Sequence, residues 1–178
     1  MSQTQPSSPH RDFEAILRPS RWADGIQVIG AIPEYVARQL GMGTRARSVW
    51  LHEQTVTQIC EHRCAKPIDS ELVLDYMPAV VMRPMFCGIH EYAGATRIEL
   101  VEYIRPAHRY VYLGIKLVAH PLAEDELWVS TGYPVCEQTL RRLMRQGRLQ
   151  PVVGDRRLEG GKTRTARRTP SGAATQMP

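Results

Sequence analysis

The sequence predicts an α+β fold: N-terminal helices pack on one face of a four-stranded antiparallel meander sheet, followed by a C-terminal helix and a disordered basic tail. Two observations predict it. Apolar residues recur mostly at helical spacing before Pro84 and alternate with a period of two after it, and the connectors between the alternating segments are short enough for hairpins. A single domain is expected over residues 25–150, between a flexible segment 1–24 and the tail 151–178.

The first half predicts five short elements. In order, they are a strand over 25–30, a helix over 33–40, a strand over 48–51, a helix over 52–64 and a helix over 71–82. Pro33 suits the first turn of its helix, and Gly41 lies just past the end of the same helix. Ser70 can cap the last helix, which Pro78 is expected to kink or shorten.

The second half predicts the sheet. Its four alternating segments are residues 85–92, 96–104, 109–118 and 126–133. Because consecutive strands joined by short turns pair antiparallel, the four segments indicate a meander. A closing helix is expected over 137–146, where Gly147 ends it.

Composition limits the class of protein. A chain of 178 residues with 43% hydrophobic content suits one soluble globular domain, and no apolar run is long enough to cross a membrane. Four scattered cysteines and a polar N-terminal segment favour free thiols and a cytoplasmic location.

The spacing of His and Cys between positions 52 and 64 does not suit one metal ion. Neither a Gly-rich phosphate loop nor a Gly-x-Ser-x-Gly motif is present, which disfavours nucleotide hydrolases and serine esterases.

The net charge of +5 is concentrated in the tail. Between positions 154 and 178, six basic residues stand against Asp155 and Glu159, so this segment carries +4 and the rest of the chain +1. Such a tail can hold polyanions through sequence-independent attraction, or it can serve only to keep the protein soluble.

The last predicted strand ends in two hydroxyl side chains. Alternation places Thr131 and Tyr133 on the same face as Leu127 and Val129, so a mostly apolar face ends in two polar groups. Because buried hydroxyls need hydrogen-bond partners, this strand end is either a capped sheet edge or part of a polar site.

The order of these elements, with His62 on a helix in Gln58-Ile59-Cys60-Glu61-His62 and a meander ending in Thr131-Gly132-Tyr133, resembles the phage-associated nuclease domains of the barnase, EndoU, colicin and RelE superfamily. The resemblance covers about residues 25–149. It implies a ribonuclease, encoded by a phage or mobile element, that needs neither metal nor cofactor. In that chemistry a ribose 2′-hydroxyl attacks the adjacent phosphate. The partners it implies are RNA and an inhibitor or immunity protein.

The chemistry implied by the resemblance needs a proton-transfer group and groups that stabilise the phosphorane. His62 is the predicted acid or base, Lys116 neutralises the phosphate, and Thr131 and Tyr133 donate hydrogen bonds to it. The predicted substrate contacts are a phosphate contact from Arg109 and base stacking on Tyr110 and Tyr112.

Several alternatives stay open at this point. His62 can also be an ordinary surface residue in the last turn of a helix. Lys116 can equally lie on a solvated sheet face. A site common to Lys116 and Tyr133 requires a bulge, a sheet edge or a misread face. The second histidine can be His90 or His108. A different class of function is a non-catalytic phage or bacterial accessory protein that binds RNA or protein through its sheet and basic tail.

Overall fold

The computed structural model describes residues 25–63, 66–92, 94–118 and 126–154, with the backbone alone for His62 and Tyr92. The predicted flexible segment 1–24 lies outside the described residues. Of the predicted disordered tail 151–178, residues 151–154 are described, and the Val152 amide donates to the Met85 carbonyl; the rest lies outside the described residues.

Within the described residues, seven strands form one mixed sheet. They are β1 (Ile26–Ile32), β2 (Arg47–His52), β3 (Phe86–Tyr92), β4 (Ala95–Ile104), β5 (Arg109–Val118), β6 (Glu126–Val135) and β7 (Gln150–Pro151). Their order across the sheet is β1-β2-β6-β5-β4-β3-β7. The strand pairs are antiparallel, except that β2 and β6 run parallel.

The predicted four-stranded antiparallel meander is therefore wrong. The four strands predicted for the meander are present as β3 to β6, but the antiparallel pair β1–β2 extends the sheet beyond β6, and β7 extends it beyond β3. The parallel contact joins Val49 to Leu127 and Trp50 to Trp128, which are far apart in the sequence. Alternation within one segment predicts a strand and its two faces, but it does not identify a distant neighbour.

The helices begin and end close to the predicted positions. They are α1 (Glu34–Gln39), α2 (Glu53–Gln58) with a π-helical turn (Ile59–Arg63) after it, α3 (Pro67–Met82), a 3₁₀ turn (Arg105–Ala107) and α4 (Glu137–Arg145). Helix α3 begins at Pro67, where a proline suits the first turn, and it continues through Pro78 to Met82. Ser70 lies inside this helix, and its hydroxyl donates to the Pro67 carbonyl at 2.7 Å rather than capping the helix. None of the described helices is long and apolar enough to cross a membrane.

Helices cover both faces of the sheet, whereas the sequence predicted helices on one face. The main core lies between α3 and one face, where Val73, Met77 and Leu113 are fully buried. A smaller core lies on the opposite face, where Leu140 and Leu143 of α4 are buried. Because α4 has nine residues, it covers only one end of that face, and no other helix of the described residues packs on the other end.

The free cysteines differ in their surroundings. Cys60, Cys87 and Cys136 are free thiols as predicted, and Cys64 lies outside the described residues. Burial raises the pKa of the Cys87 thiol to about 11, whereas hydrogen bonds from Thr139 lower the pKa of the exposed Cys136 thiol.

We expect iodoacetamide at pH 8 to modify Cys136 within the native protein and Cys87 only after unfolding, because the thiolate is the reactive form. Peptide mass spectrometry of timed samples, with and without guanidinium, measures both rates. Modification of Cys87 in the folded protein as fast as that of Cys136 would contradict its burial.

Candidate functional site

A β-bulge in β6 places Thr131 and Tyr133 on the same face of the sheet as Lys116. Gly114 pairs with Thr131 and Ile115 with Val129, so Ser130 is the extra residue of β6. The Ser130 hydroxyl donates to the Gly114 carbonyl at 3.0 Å and so holds the bulge. One extra residue turns every later side chain to the other face. The prediction from strict alternation, which put Thr131 and Tyr133 with Leu127 and Val129, is corrected by this bulge.

We call the sheet face opposite α3 the site face. Directly paired residues on neighbouring strands form three rows across it. The tyrosine row is Phe86, Val101, Tyr112 and Tyr133. The carboxylate row is Gly88, Glu99, Gly114 and Thr131. The basic-aromatic row is His90, Arg97, Lys116, Trp128, Trp50 and Val28. Successive rows lie two residues apart along the strands, or about 7 Å.

Glu99 is the centre of the carboxylate row. Its side chain has 0% exposure, and its Oε1 atom accepts a hydrogen bond from the Tyr112 hydroxyl at 2.7 Å and another from the Arg148 guanidinium. The Nε2 atom of His90 lies 3.7 Å from the same oxygen. A buried carboxylate is tolerated when a cation and hydrogen bonds compensate it, so Glu99 holds three other side chains at one point of the sheet.

Two glycines leave the space in which this cluster forms. A Cβ atom on Gly88 would lie 1.7 Å from the carbonyl oxygen of Arg148, and one on Gly114 would lie 2.8 Å from Cγ2 of Thr131. Both glycines are the direct neighbours of Glu99 on the adjoining strands. The chain after α4 can therefore lie against the sheet and bring Arg148 to Glu99.

Four buried polar atoms of this cluster lack a hydrogen-bond partner within the described part of the chain. They are Nδ1 of His90, Oε2 of Glu99, Oγ1 of Thr131 and Nε of Arg148. Leaving such a group without a partner costs about 1–3 kcal/mol, and native proteins usually satisfy it with protein, water or ligand. They comprise N–H and O–H donors, a carboxylate acceptor and an imidazole, so a water molecule or a polar ligand that reaches them can satisfy them.

The stacked tyrosines supply protonated hydroxyls beside the cluster. The rings of Tyr112 and Tyr133 are 4.8 Å apart. Burial and the Glu99 carboxylate raise the pKa of Tyr112 far above its ordinary value, and burial followed by Glu99 also raises the pKa of Tyr133. Both phenols therefore remain hydrogen-bond donors at neutral pH. Tyr112 is 2% exposed, so the predicted stacking of this ring on a base does not fit its position.

Five of the predicted residues lie on the site face, namely Tyr110, Tyr112, Lys116, Thr131 and Tyr133, whereas Arg109 does not. Arg109 lies on the opposite face, where its guanidinium pairs with Asp69 of α3. Tyr110 lies beyond the tyrosine row and packs against Tyr103, with ring centroids 4.9 Å apart.

The predicted acid or base, His62, lies in the π-helical turn, and its side chain is outside the described atoms. The next residue, Arg63, is close enough to Tyr133 to lower its pKa electrostatically, against the larger effect of burial. The Thr55 hydroxyl of α2 donates to the Val129 carbonyl of β6 at 3.2 Å. These interactions hold α2 and the π-helical turn beside β6, and Ile59 of this turn is buried in the main core on the α3 side of the sheet.

Sequence reasoning missed Glu99 and Arg148. In Arg97-Ile98-Glu99-Leu100-Val101 the charged residues alternate with apolar ones, which is also typical of a solvated strand face. A weak signal was present, because Val101 shares the face of Glu99 and indicates burial at that end. Arg148 follows the glycine that ends α4, where nothing in the local pattern points to the sheet.

Comparisons of the chain with protein-family models, with curated proteins and with solved structures found no match. The resemblance to the barnase, EndoU, colicin and RelE superfamily therefore stays a prediction from motifs and element order.

Proposed function

We propose that the site face binds RNA and cleaves it without a metal ion, by attack of a ribose 2′-hydroxyl on the adjacent phosphate. The observation that carries this proposal is the cluster of buried polar atoms without partners, which lies beside Lys116, Thr131 and Tyr133 on one sheet face. It offers an acceptor, donors and a cation within three neighbouring rows, as this reaction requires.

Proton transfer is assigned to His90. Cleavage needs a base that takes the proton of the 2′-hydroxyl and an acid that returns one to the leaving 5′-oxygen, which yields a 2′,3′-cyclic phosphate and a 5′-hydroxyl. The His90 side chain is 21% exposed and contacts the Glu99 carboxylate from the edge of the cluster. An imidazole can accept or donate the proton, and the neighbouring carboxylate orients it. His62 remains the predicted second proton-transfer residue.

Charge on the phosphorane is stabilised by side chains of three rows. Lys116 is exposed in the basic-aromatic row, and Arg148 reaches the carboxylate row with 37% of its side chain exposed. Thr131 and Tyr133 donate neutral hydrogen bonds from β6. Because Glu99 is buried beneath these groups, it acts as a positioning residue for Arg148 and His90.

The purified protein is expected to cleave a fluorescent single-stranded RNA in EDTA and to leave a cyclic phosphate end. Lys116→Gln should lower kcat by about 10²-fold, the usual effect of removing one group that stabilises a developing charge. Lys66→Gln is the matched control, because Lys66 is exposed at the start of α3, which covers the opposite face.

Gel analysis of the products and circular dichroism of each variant check this prediction. Intact RNA with the folded wild-type protein would overturn the proposed activity. Equal cleavage rates for Lys116→Gln and Lys66→Gln would show that any observed activity does not depend on Lys116 and that the active site is not on the site face.

A further inference from the structure

The end of the site face that α4 does not cover carries two kinds of side chain along the basic-aromatic row. At one side it carries His90, Arg97 and Lys116, and at the other the indoles of Trp128 and Trp50. With neighbouring strands about 4.8 Å apart, the six residues of the row extend over about 24 Å. This length accommodates more than one nucleotide of an extended chain.

The two indoles form a preorganised platform. Their ring centroids are 6.1 Å apart with an angle of 29° between the planes, and both residues are partly exposed. The Nε1 atom of Trp128 donates to the Glu126 carboxylate at 2.8 Å, which fixes the orientation of its ring. Val28 extends the platform by one strand and is 51% exposed. The two indoles are stacked on each other, and their partial exposure leaves flat apolar surface in a fixed orientation.

From this arrangement we infer that Trp50 and Trp128 form a base-stacking subsite for single-stranded RNA, with the sugar–phosphate chain running along the row toward Lys116. The inference rests on the proposed function and names its substrate class. Lys116 is the direct cross-strand neighbour of Trp128, so a base stacked on the indole has its phosphate on the cationic side.

Charge and shape favour this occupant over others. The ligand must combine anionic groups, which suit the basic side of the row, with flat aromatic groups, which suit the indoles. A single nucleic-acid strand has both at a regular spacing. In an RNA duplex the bases are stacked internally and their faces are not accessible to the indoles. Glu126, two residues before Trp128 on β6, disfavours a phosphate directly beside that indole.

The test uses a twelve-nucleotide RNA in which every ribose is 2′-O-methylated, because this strand retains bases and phosphates but lacks the attacking hydroxyl. Fluorescence anisotropy gives its Kd for the wild type, Trp128→Leu, Trp50→Leu and Trp128→Phe. We expect each leucine variant to raise Kd about tenfold, and Trp128→Phe to raise it much less, because phenylalanine retains a stacking surface. Ile68→Ala is the control, since Ile68 is exposed on α3. Thermal unfolding confirms that each variant is folded.

Binding and cleavage are then compared separately. Weaker binding in the leucine variants, retained binding in Trp128→Phe and poor competition by a duplex of the same sequence support the subsite. Equal Kd values for the wild type and both leucine variants would overturn it, whether or not unmodified RNA is cleaved. Tryptophan-dependent binding together with intact unmodified RNA would leave the subsite standing and overturn the proposed ribonuclease activity.

Discussion

Glu99→Gln is expected to remove most RNA cleavage while the sheet stays folded. The carboxamide retains the shape of the side chain and can accept from Tyr112, but it carries no charge with which to hold Arg148 and orient His90. Loss of general acid–base catalysis lowers rates by about 10²- to 10⁴-fold, and we expect kcat to fall by about the lower value. The lost hydrogen bond to a charged group should lower the free energy of unfolding by about 1–3 kcal/mol.

Two measurements separate positioning from stability in this variant. Steady-state cleavage, scaled to the fraction of folded protein, gives kcat, and the affinity for 2′-O-methylated RNA reports whether the binding surface is intact. Glu137→Gln is the matched control, because Glu137 pairs with Arg141 in an exposed i,i+4 contact of small value. Wild-type kcat in folded Glu99→Gln would show that the carboxylate only fastens the chain after α4 to the sheet.

The parts of the fold that depend on local pattern could be predicted from the sequence. Each strand from β3 to β6 has an alternating segment bounded by turn residues, and α4 has an apolar stripe ended by Gly147. These signals concern residues that are close in the chain. Sheet order could not be predicted in the same way, because the parallel pairing of β2 with β6 joins segments whose own sequences carry no mark of the partner.

The candidate site likewise has features that the local sequence pattern predicts and features that it does not. Thr131, Tyr133 and Lys116 could be selected as polar groups on strands, but their common face depends on Ser130, a residue that nothing in the sequence marks as a bulge. The burial of Glu99 depends on glycines in two other strands and on the chain after α4. Such contacts are set by register between distant segments. The sequence therefore indicated three polar side chains that share this face, and it did not indicate the buried carboxylate beside them.

Gly88→Ala is expected to destabilise the protein by about 3 kcal/mol or more, at the upper end of what overpacking usually costs. The added Cβ would lie 1.7 Å from the Arg148 carbonyl oxygen and 2.9 Å from its carbonyl carbon. Both are backbone atoms, so no side-chain rotation relieves the contact. The chain after α4 must move away from β3.

That movement would affect the site as well as the core. The displaced segment contains Leu149, which is 3% exposed, and β7, which pairs with β3. It also carries Arg148, so RNA cleavage should fall together with stability. Gly114→Ala is the comparison, because its Cβ meets a methyl group of Thr131 at 2.8 Å, and this side chain can shift. We expect it to cost less than Gly88→Ala.

Urea unfolding gives the free energies, and amide hydrogen exchange shows where the change occurs. The Val152 amide donates to the Met85 carbonyl at 3.0 Å and reports whether the segment has left the sheet. Faster exchange at Val152 in Gly88→Ala, with slow exchange retained in β4 and β5, is the expected pattern. An unchanged unfolding midpoint with Val152 still protected would contradict the close approach of Arg148 to Gly88. Since this approach brings the guanidinium to Glu99, the absence of a side chain at position 88 is a condition for assembling the site.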